Sequence, residues 1–138
     1  MTAPTLPDLV VLDSGALERV ETKPVLRAML HRLLEHGADV EIPTITLAEA
    51  ITGTPRDAPV HRLVKRVGTL PTDEVVARRA GAMRHTIRQR RKRTPSAVDA
   101  IVAAHAALGV TPALVLTTDK RDLSVLAASC RNVIVEKI

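Results

Sequence analysis

The segment LVVLDSG, residues 9–15, decides how this chain is read: four consecutive apolar residues run straight into an acid, followed by two small residues. A run so short and unbroken reads as a strand buried on both faces, as in a parallel sheet flanked by helices. Three further short runs rich in β-branched residues have the same character, at 40–42, 114–116 and 133–135, and 69–71 offers a weak fifth. Between them lie helical patterns. Residues 24–36 carry Val25, Leu26, Met29, Leu30, Leu33 and Leu34 on one wide face, with Gly37 at the stop position. Shorter helices are expected at 46–51 and 59–67, separated by the turn-forming stretch 52–57. A long one at 73–91 shows the stripe Val76, Ala80, Met83, Ile87. Thr94, Pro95 and Ser96 open a helix at 97–108 that Gly109 and Pro112 close, and a last helix covers 120–129. Strands alternating with helices predict an α/β three-layer sandwich on a mostly parallel sheet of four to five strands. At 138 residues this is a single domain, 1–138, with no internal repeat.

Composition narrows the function. The chain has no Phe, Trp or Tyr, which excludes base-stacking platforms, aromatic cages and membrane aromatic belts. Twenty Lys and Arg against fifteen Asp and Glu leave a net charge of +5, favouring a polyanionic partner reached through charge and hydrogen bonds. The lone Cys130 rules out an internal disulfide and a cysteine-rich zinc site. The histidines at 31, 36, 61, 85 and 105 form no metal-ligand pair. With no basic, apolar leader and no apolar run of spanning length, a cytoplasmic protein without membrane attachment is expected.

Carboxylates remain as the chemistry, and their positions are informative. In open α/β sheets the ligand crevice lies at the carboxyl ends of the strands. Asp13 directly follows the first strand, Asp119 follows the 114–116 strand after two threonines, and Asp122 lies one turn further on. Glu49 and Asp99 fall on the helices at 46–51 and 97–108. Acids at helix starts are also favoured by capping and by the helix dipole. Thr46 to Glu49 fits a capping box, Ser96 to Asp99 and Asp119 to Asp122 are looser versions, and Asp13 could cap a helix after the first strand. Capping explains less of Asp99, which sits in the otherwise apolar run AVDAIVAA, where an unpartnered charge is costly. Several carboxylates in one site raise each other's pKa unless a cation lies among them. Oxygen-only ligands select Mg²⁺ or Mn²⁺, ions suited to hydrolysing phosphodiesters.

VVLDSGAL, TITLAEAI, SAVDAIVAAHA and LTTDKRDL, in this order across nearly the whole chain, resemble the motifs of the PIN-domain family, in particular the toxin components of VapBC toxin–antitoxin pairs. The resemblance implies a metal-dependent endoribonuclease that forms a homodimer, is silenced by an antitoxin, and leaves 5′-phosphate and 3′-hydroxyl ends. It implies Asp13, Glu49, Asp99 and Asp119 as ligands of Mg²⁺ or Mn²⁺, with Asp122 in support and Thr117 orienting the cluster. The chain departs from the family in RHTIRQRRKRTP, the charged stretch before Asp99, which bears on substrate choice rather than chemistry.

That stretch belongs to residues 78–93, where eight cationic side chains and no acid occupy sixteen positions. A single-signed run leading into Asp99 reads as a clamp for RNA phosphates formed by Arg84, Arg88, Arg90, Arg91, Lys92 and Arg93. Arg84, Arg88, Arg91 and Lys92 are expected on a helix face away from the Ala80, Met83, Ile87 stripe. A solvated face, or a dock for an acidic antitoxin tail, are the competing uses. His105 follows Asp99 by six residues, about 240° around the helix, and reads as structural. Cys130 reads as a buried small hydrophobe. The apolar residues of 46–51 and 59–67 are the expected homodimer surface. Two other functions compete. One is a non-catalytic nucleic-acid or antitoxin-binding module on a degenerate scaffold, disfavoured by the intact acids. The other is a phosphoacceptor, disfavoured by the single acid in Asp13-Ser14-Gly15.

Overall fold

The computed structural model describes residues 6–91, 93–109 and 111–138. The four apolar runs become β1 (Leu9–Leu12), β2 (Asp39–Glu41), β3 (Ala113–Thr117) and β4 (Val133–Lys137), all parallel, in the order β2-β1-β3-β4. The possible fifth strand at 69–71 reduces to an isolated bridge between Pro43 and Leu70. Leu70 N donates to Ile42 O and Thr44 N to Leu70 O, but Pro43 and Pro71 have no N–H to extend the ladder.

Strand alternation sends side chains to two cores. Val10, Leu12, Leu114 and Leu116 pack with Leu17, Leu26, Leu30, Leu33 and Leu63 from α1 (Ser14–Arg19), α2 (Pro24–Glu35) and α4 (Ala58–Val67). Ala50 of α3 (Thr44–Ala50) joins them. Val11, Ala113 and Val115 pack on the opposite face with Val76, Ala80, Val102, Leu123 and Leu126 from α5 (Glu74–Arg90), α6 (Ala97–Ala107) and α7 (Arg121–Ala127). This is the expected three-layer α/β sandwich. Burying each such Leu or Val stabilises the fold by ~1.5–3 kcal/mol, so β1 and β3, packed on both faces, form the rigid centre from which the acids project.

Local signals explain most element ends. Gly37 adopts φ 87°, and Ala38 N donates to Leu33 O across it, closing α2 in a left-handed cap that needs glycine. Helix α1 is marked in the sequence only through Asp13 as its possible cap, without a range. Its six residues bury only Ala16 and Leu17, too few to display a helical period. In α6 the alanines at 100, 103, 104, 106 and 107 are all buried, and their small size lets the helix lie between the sheet and α5.

Several expectations need revision. Val60, Leu63 and Ala50 lie in the core, and Leu47, Ile51, Val64 and Val67 pack against it while staying partly exposed, so only these four remain of the apolar surface expected for a homodimer. The large exposed hydrophobics lie elsewhere, at Leu6, Val25, Leu70, Val75, Leu108 and Ile134. Cys130 is half-buried just beyond α7 rather than fully enclosed. His105 is buried with Nε2 3.0 Å from Thr72 Oγ1, and burial lowers its pKa; it holds α6 to the segment before α5. Among the described residues no helix is long and apolar enough to cross a membrane.

Candidate active site

Because the strands are parallel, β1 and β3 end at the same edge of the sheet, and the chain leaves both there with polar residues. Asp13 N donates to Leu116 O at 3.1 Å, continuing the β1–β3 pairing one step beyond the strand. The Asp13 side chain caps α1, Oδ1 accepting from Ser14 N at 2.6 Å. Its Oδ2 accepts from Thr117 Oγ1 at 2.7 Å. Asp13 is 7% and Thr117 0% exposed, so this carboxylate is held by donors that cannot move without disturbing the core. Thr117 Oγ1 also accepts from Asp119 N at 3.1 Å, tying the β3 exit to the β1 exit.

The other acids arrive from separate elements. Glu49, exposed on α3, accepts from Ser14 Oγ at 3.2 Å. The capping-box reading of Thr46 and Glu49 does not hold. The helix begins two residues earlier, at Thr44 after Pro43, and the buried Thr46 hydroxyl donates back to Pro43 O at 2.8 Å. Ser96 does cap α6, accepting from Asp99 N at 3.1 Å, and the half-buried carboxylate of Asp99 lines the cleft. Asp119 is exposed and held by Arg121, whose Nε and Nη2 lie 3.3 and 3.2 Å from its two oxygens. Asp122, in the first turn of α7, accepts from Arg93 Nη2 at 3.1 Å.

Asp13, Glu49, Asp99, Asp119 and Asp122 thus line one cleft of about 170 Å³, together with Ser14 and Thr118. Its electrostatics are uneven. Burial pushes the Asp99 carboxyl up to about 6, and the charges of Asp13, Asp122 and Glu49 add to the shift against the Ser96 hydrogen bond. The Arg121 contact pulls Asp119 below the usual carboxylate range. Among the described residues no cationic side chain pairs with Asp13, Glu49 or Asp99.

An all-oxygen donor set whose innermost members repel one another fits a hard divalent cation. Among the described residues no three acidic, histidine or cysteine side chains close into a finished cage, and Asp119 and Asp122 are each paired with an arginine. Mg²⁺ needs only one or two carboxylates and keeps its remaining waters, so Asp13 and Asp99 suffice to begin such a site.

Beside the cleft, a groove between α5 and α7 is lined by Met83, Ile87, Arg90, Arg91 and Val125. A second depression, containing Arg91, Arg93, Arg121 and Asp122, joins that groove to the cleft through Asp122. The basic segment is therefore only partly arranged as expected. Arg84 follows Ala80 by four residues, which puts the pair on one face of α5, whereas Arg91 lies just past the helix end with an extended backbone. Arg84 is half-buried with Nε donating to Pro95 O at 3.0 Å, a structural tie rather than an open cation. Arg91 lines the groove beside Ile87, not the opposite side. Arg88 is exposed but lines neither depression, and Lys92 lies outside the described residues. Sequence reasoning missed Ser14, Thr118 and Arg121. Ser14 and Arg121 were signalled only by adjacency to Asp13 and by position between Asp119 and Asp122.

No protein-family model matches the chain, and no curated protein sequence does. Solved structures do. VapBC2 from Rickettsia felis, bound to a DNA fragment from the VapBC2 promoter, matches with a TM-score of 0.75 at 15% identity over 94% of this chain and 98% of that one. The chain has a VapBC-type fold. VapBC-1 from nontypeable Haemophilus influenzae matches with TM-score 0.71 at 19% identity, covering 94% of this chain and 97% of that one. VapBC-5 from Mycobacterium tuberculosis, a member of the VapBC family of toxin–antitoxin systems, matches with TM-score 0.64 at 25% identity, covering 96% and 100%. The VapBC-type fold agrees with the PIN-like reading of the sequence motifs.

Proposed function

We propose that this protein is a metal-dependent endoribonuclease, the toxin of a toxin–antitoxin pair, with Asp13, Glu49, Asp99 and Asp119 as ligands of Mg²⁺ or Mn²⁺. The observation that carries the reading is Asp99: a half-buried carboxylate, its pKa raised by burial and by three neighbouring acids, at the strand edge where this fold class binds ligands. The VapBC-type fold supports the toxin assignment and an antitoxin as partner.

When bound, the divalent ion supplies activation of a water and neutralisation of charge at the scissile phosphate. The protein's own residues prepare that site. Thr117 and the Ser14 backbone N–H fix both oxygens of Asp13, and Ser14 Oγ steadies Glu49. Ser96 anchors the first turn of α6 and hence the height of Asp99. Asp122 supports the outer edge. Arg90, Arg91 and Arg93, along the groove and the adjoining depression, hold the RNA backbone by charge, consistent with a chain that has no aromatic residue to stack on bases.

The test is incubation of cellular RNA with the purified protein in Mg²⁺ and in EDTA, beside folded Asp13→Asn and Asp99→Asn variants. Discrete fragments that need the metal and disappear in both variants are expected. Fragments that persist in EDTA or in both variants would refute the assignment.

A further inference from the structure

The five carboxylates of the cleft fall into two sets. Asp13 and Asp99 lie inside and are not paired with a cation among the described residues, whereas Asp119 and Asp122 at the rim are each paired with an arginine. We infer that Arg121 and Arg93 are phosphate-binding residues held on the rim carboxylates until RNA enters, so that RNA and the divalent cation load together. This rests on the nuclease reading and adds to it how the site is filled.

Geometry supports an exchange. The Arg121 and Arg93 side chains are 74% and 65% exposed. The Arg121–Asp119 pair, whose carboxylate is 61% exposed as well, is weak and readily exchanged; Arg93 is free to swing into solvent from Asp122, whose side chain is 22% exposed. A guanidinium presents the planar fork that recognises phosphate oxygens as well as carboxylate oxygens. Both arginines border the depression that connects the α5–α7 groove to the cleft, with Asp122 on its boundary. An RNA strand following the cations of α5 therefore meets Arg93 and Arg121 just before it reaches the acids.

The same contacts set the coupling. A cation seeking Asp119 competes with Arg121, and a phosphate seeking Arg121 competes with Asp119. Each ligand releases the group the other needs, and the effect must be equal in both directions. Without RNA, the pairs keep the rim neutral and the cation weakly held; with RNA, the rim carboxylates become available.

The test measures Mn²⁺ affinity of the full chain by electron paramagnetic resonance of free Mn²⁺, with and without a mixed-sequence 2′-O-methyl RNA oligonucleotide, correcting for Mn²⁺ held by the oligonucleotide alone. The oligonucleotide should tighten Mn²⁺ binding about fivefold or more in the native protein, the lower range of ordinary site-to-site coupling. The folded Arg93→Ala/Arg121→Ala double variant should bind Mn²⁺ more tightly than the native protein without oligonucleotide and gain little from it. Arg62→Ala, which removes an exposed charge of α4 that lines neither the groove, the depression nor the cleft, should keep the coupling. No coupling in the native protein, full coupling in the double variant, or equal loss in Arg62→Ala would each overturn the inference while leaving the metal centre intact. Absence of Mn²⁺ binding in both the native protein and the double variant would instead overturn the metal centre itself.

Discussion

Replacing Asp99 by Asn should stabilise the metal-free protein at neutral pH, contrary to the usual effect of altering a half-buried polar residue. The Asp99 carboxyl is pushed from 3.8 up to about 6. Each pKa unit corresponds to ~1.4 kcal/mol, so about two units set a ceiling near 3 kcal/mol. Asp99 is only half-buried, and solvent screening reduces the expectation to ~1 kcal/mol. A carboxylate with a raised folded-state pKa binds its proton more tightly in the native state. The penalty is therefore absent below pH 3.8, develops as the pH rises toward 6, and is complete above it. Asn removes the charge and keeps the backbone N–H that Ser96 caps. Thermal unfolding in EDTA should show the variant melting ~3–5 °C higher at pH 7.5 and little different at pH 4. Added Mg²⁺ should reverse the order, raising the native Tm well above its EDTA value and the variant's much less. A variant that is equally destabilised at both pH values, or that gains as much from Mg²⁺ as the native protein, would refute the reasoning.

Other predictions concern the parts that shape the cleft. A Cβ on Gly15 would overlap Thr118 Oγ1, so Gly15→Ala should cost ~1–3 kcal/mol by overpacking, read by denaturant unfolding, and Thr118→Ala in the same chain should recover much of it. Thr117→Val removes the hydroxyl that donates to Asp13 and should lower stability by ~1.5–3 kcal/mol; unchanged unfolding would show that Asp13 finds another donor. RNA affinity in EDTA should fall steeply with salt, and Arg90→Ala, Arg91→Ala and Arg93→Ala together should reduce the log–log slope by roughly two to three; an unchanged slope would remove these residues from the interface. RNA fragments should carry 5′-phosphate and 3′-hydroxyl ends, since water rather than the ribose hydroxyl is the nucleophile; cyclic 2′,3′-phosphates would contradict the mechanism.

The sandwich was legible because parallel strands buried on both faces must be apolar throughout, and β1 and β3 are. The cleft was legible because acids that follow such strands have one crevice to occupy. Side-chain pairings were not. Ser14 reaches Glu49 across 35 positions, a contact that exists only once α1 and α3 pack together. The Thr46 capping box failed because Pro43, ready to precede a helix, starts α3 before Thr46 is reached. Arg84 was placed on the wrong face of α5 although a spacing of four from Ala80 puts it beside the apolar stripe, and Arg91 was placed on the helix although α5 ends at Arg90. The charge of residues 78–93 outweighed that spacing in the sequence, whereas in the fold Arg84 uses its polar head to tie down Pro95 O.

The most direct test of the central claim is anomalous diffraction from crystals of the native protein grown with Mn²⁺. The account predicts a peak inside the cleft, within coordinating distance of carboxylate oxygens of Asp13 and Asp99. Mn²⁺ bound only elsewhere, with Asp13 and Asp99 still lacking any cation, would contradict it.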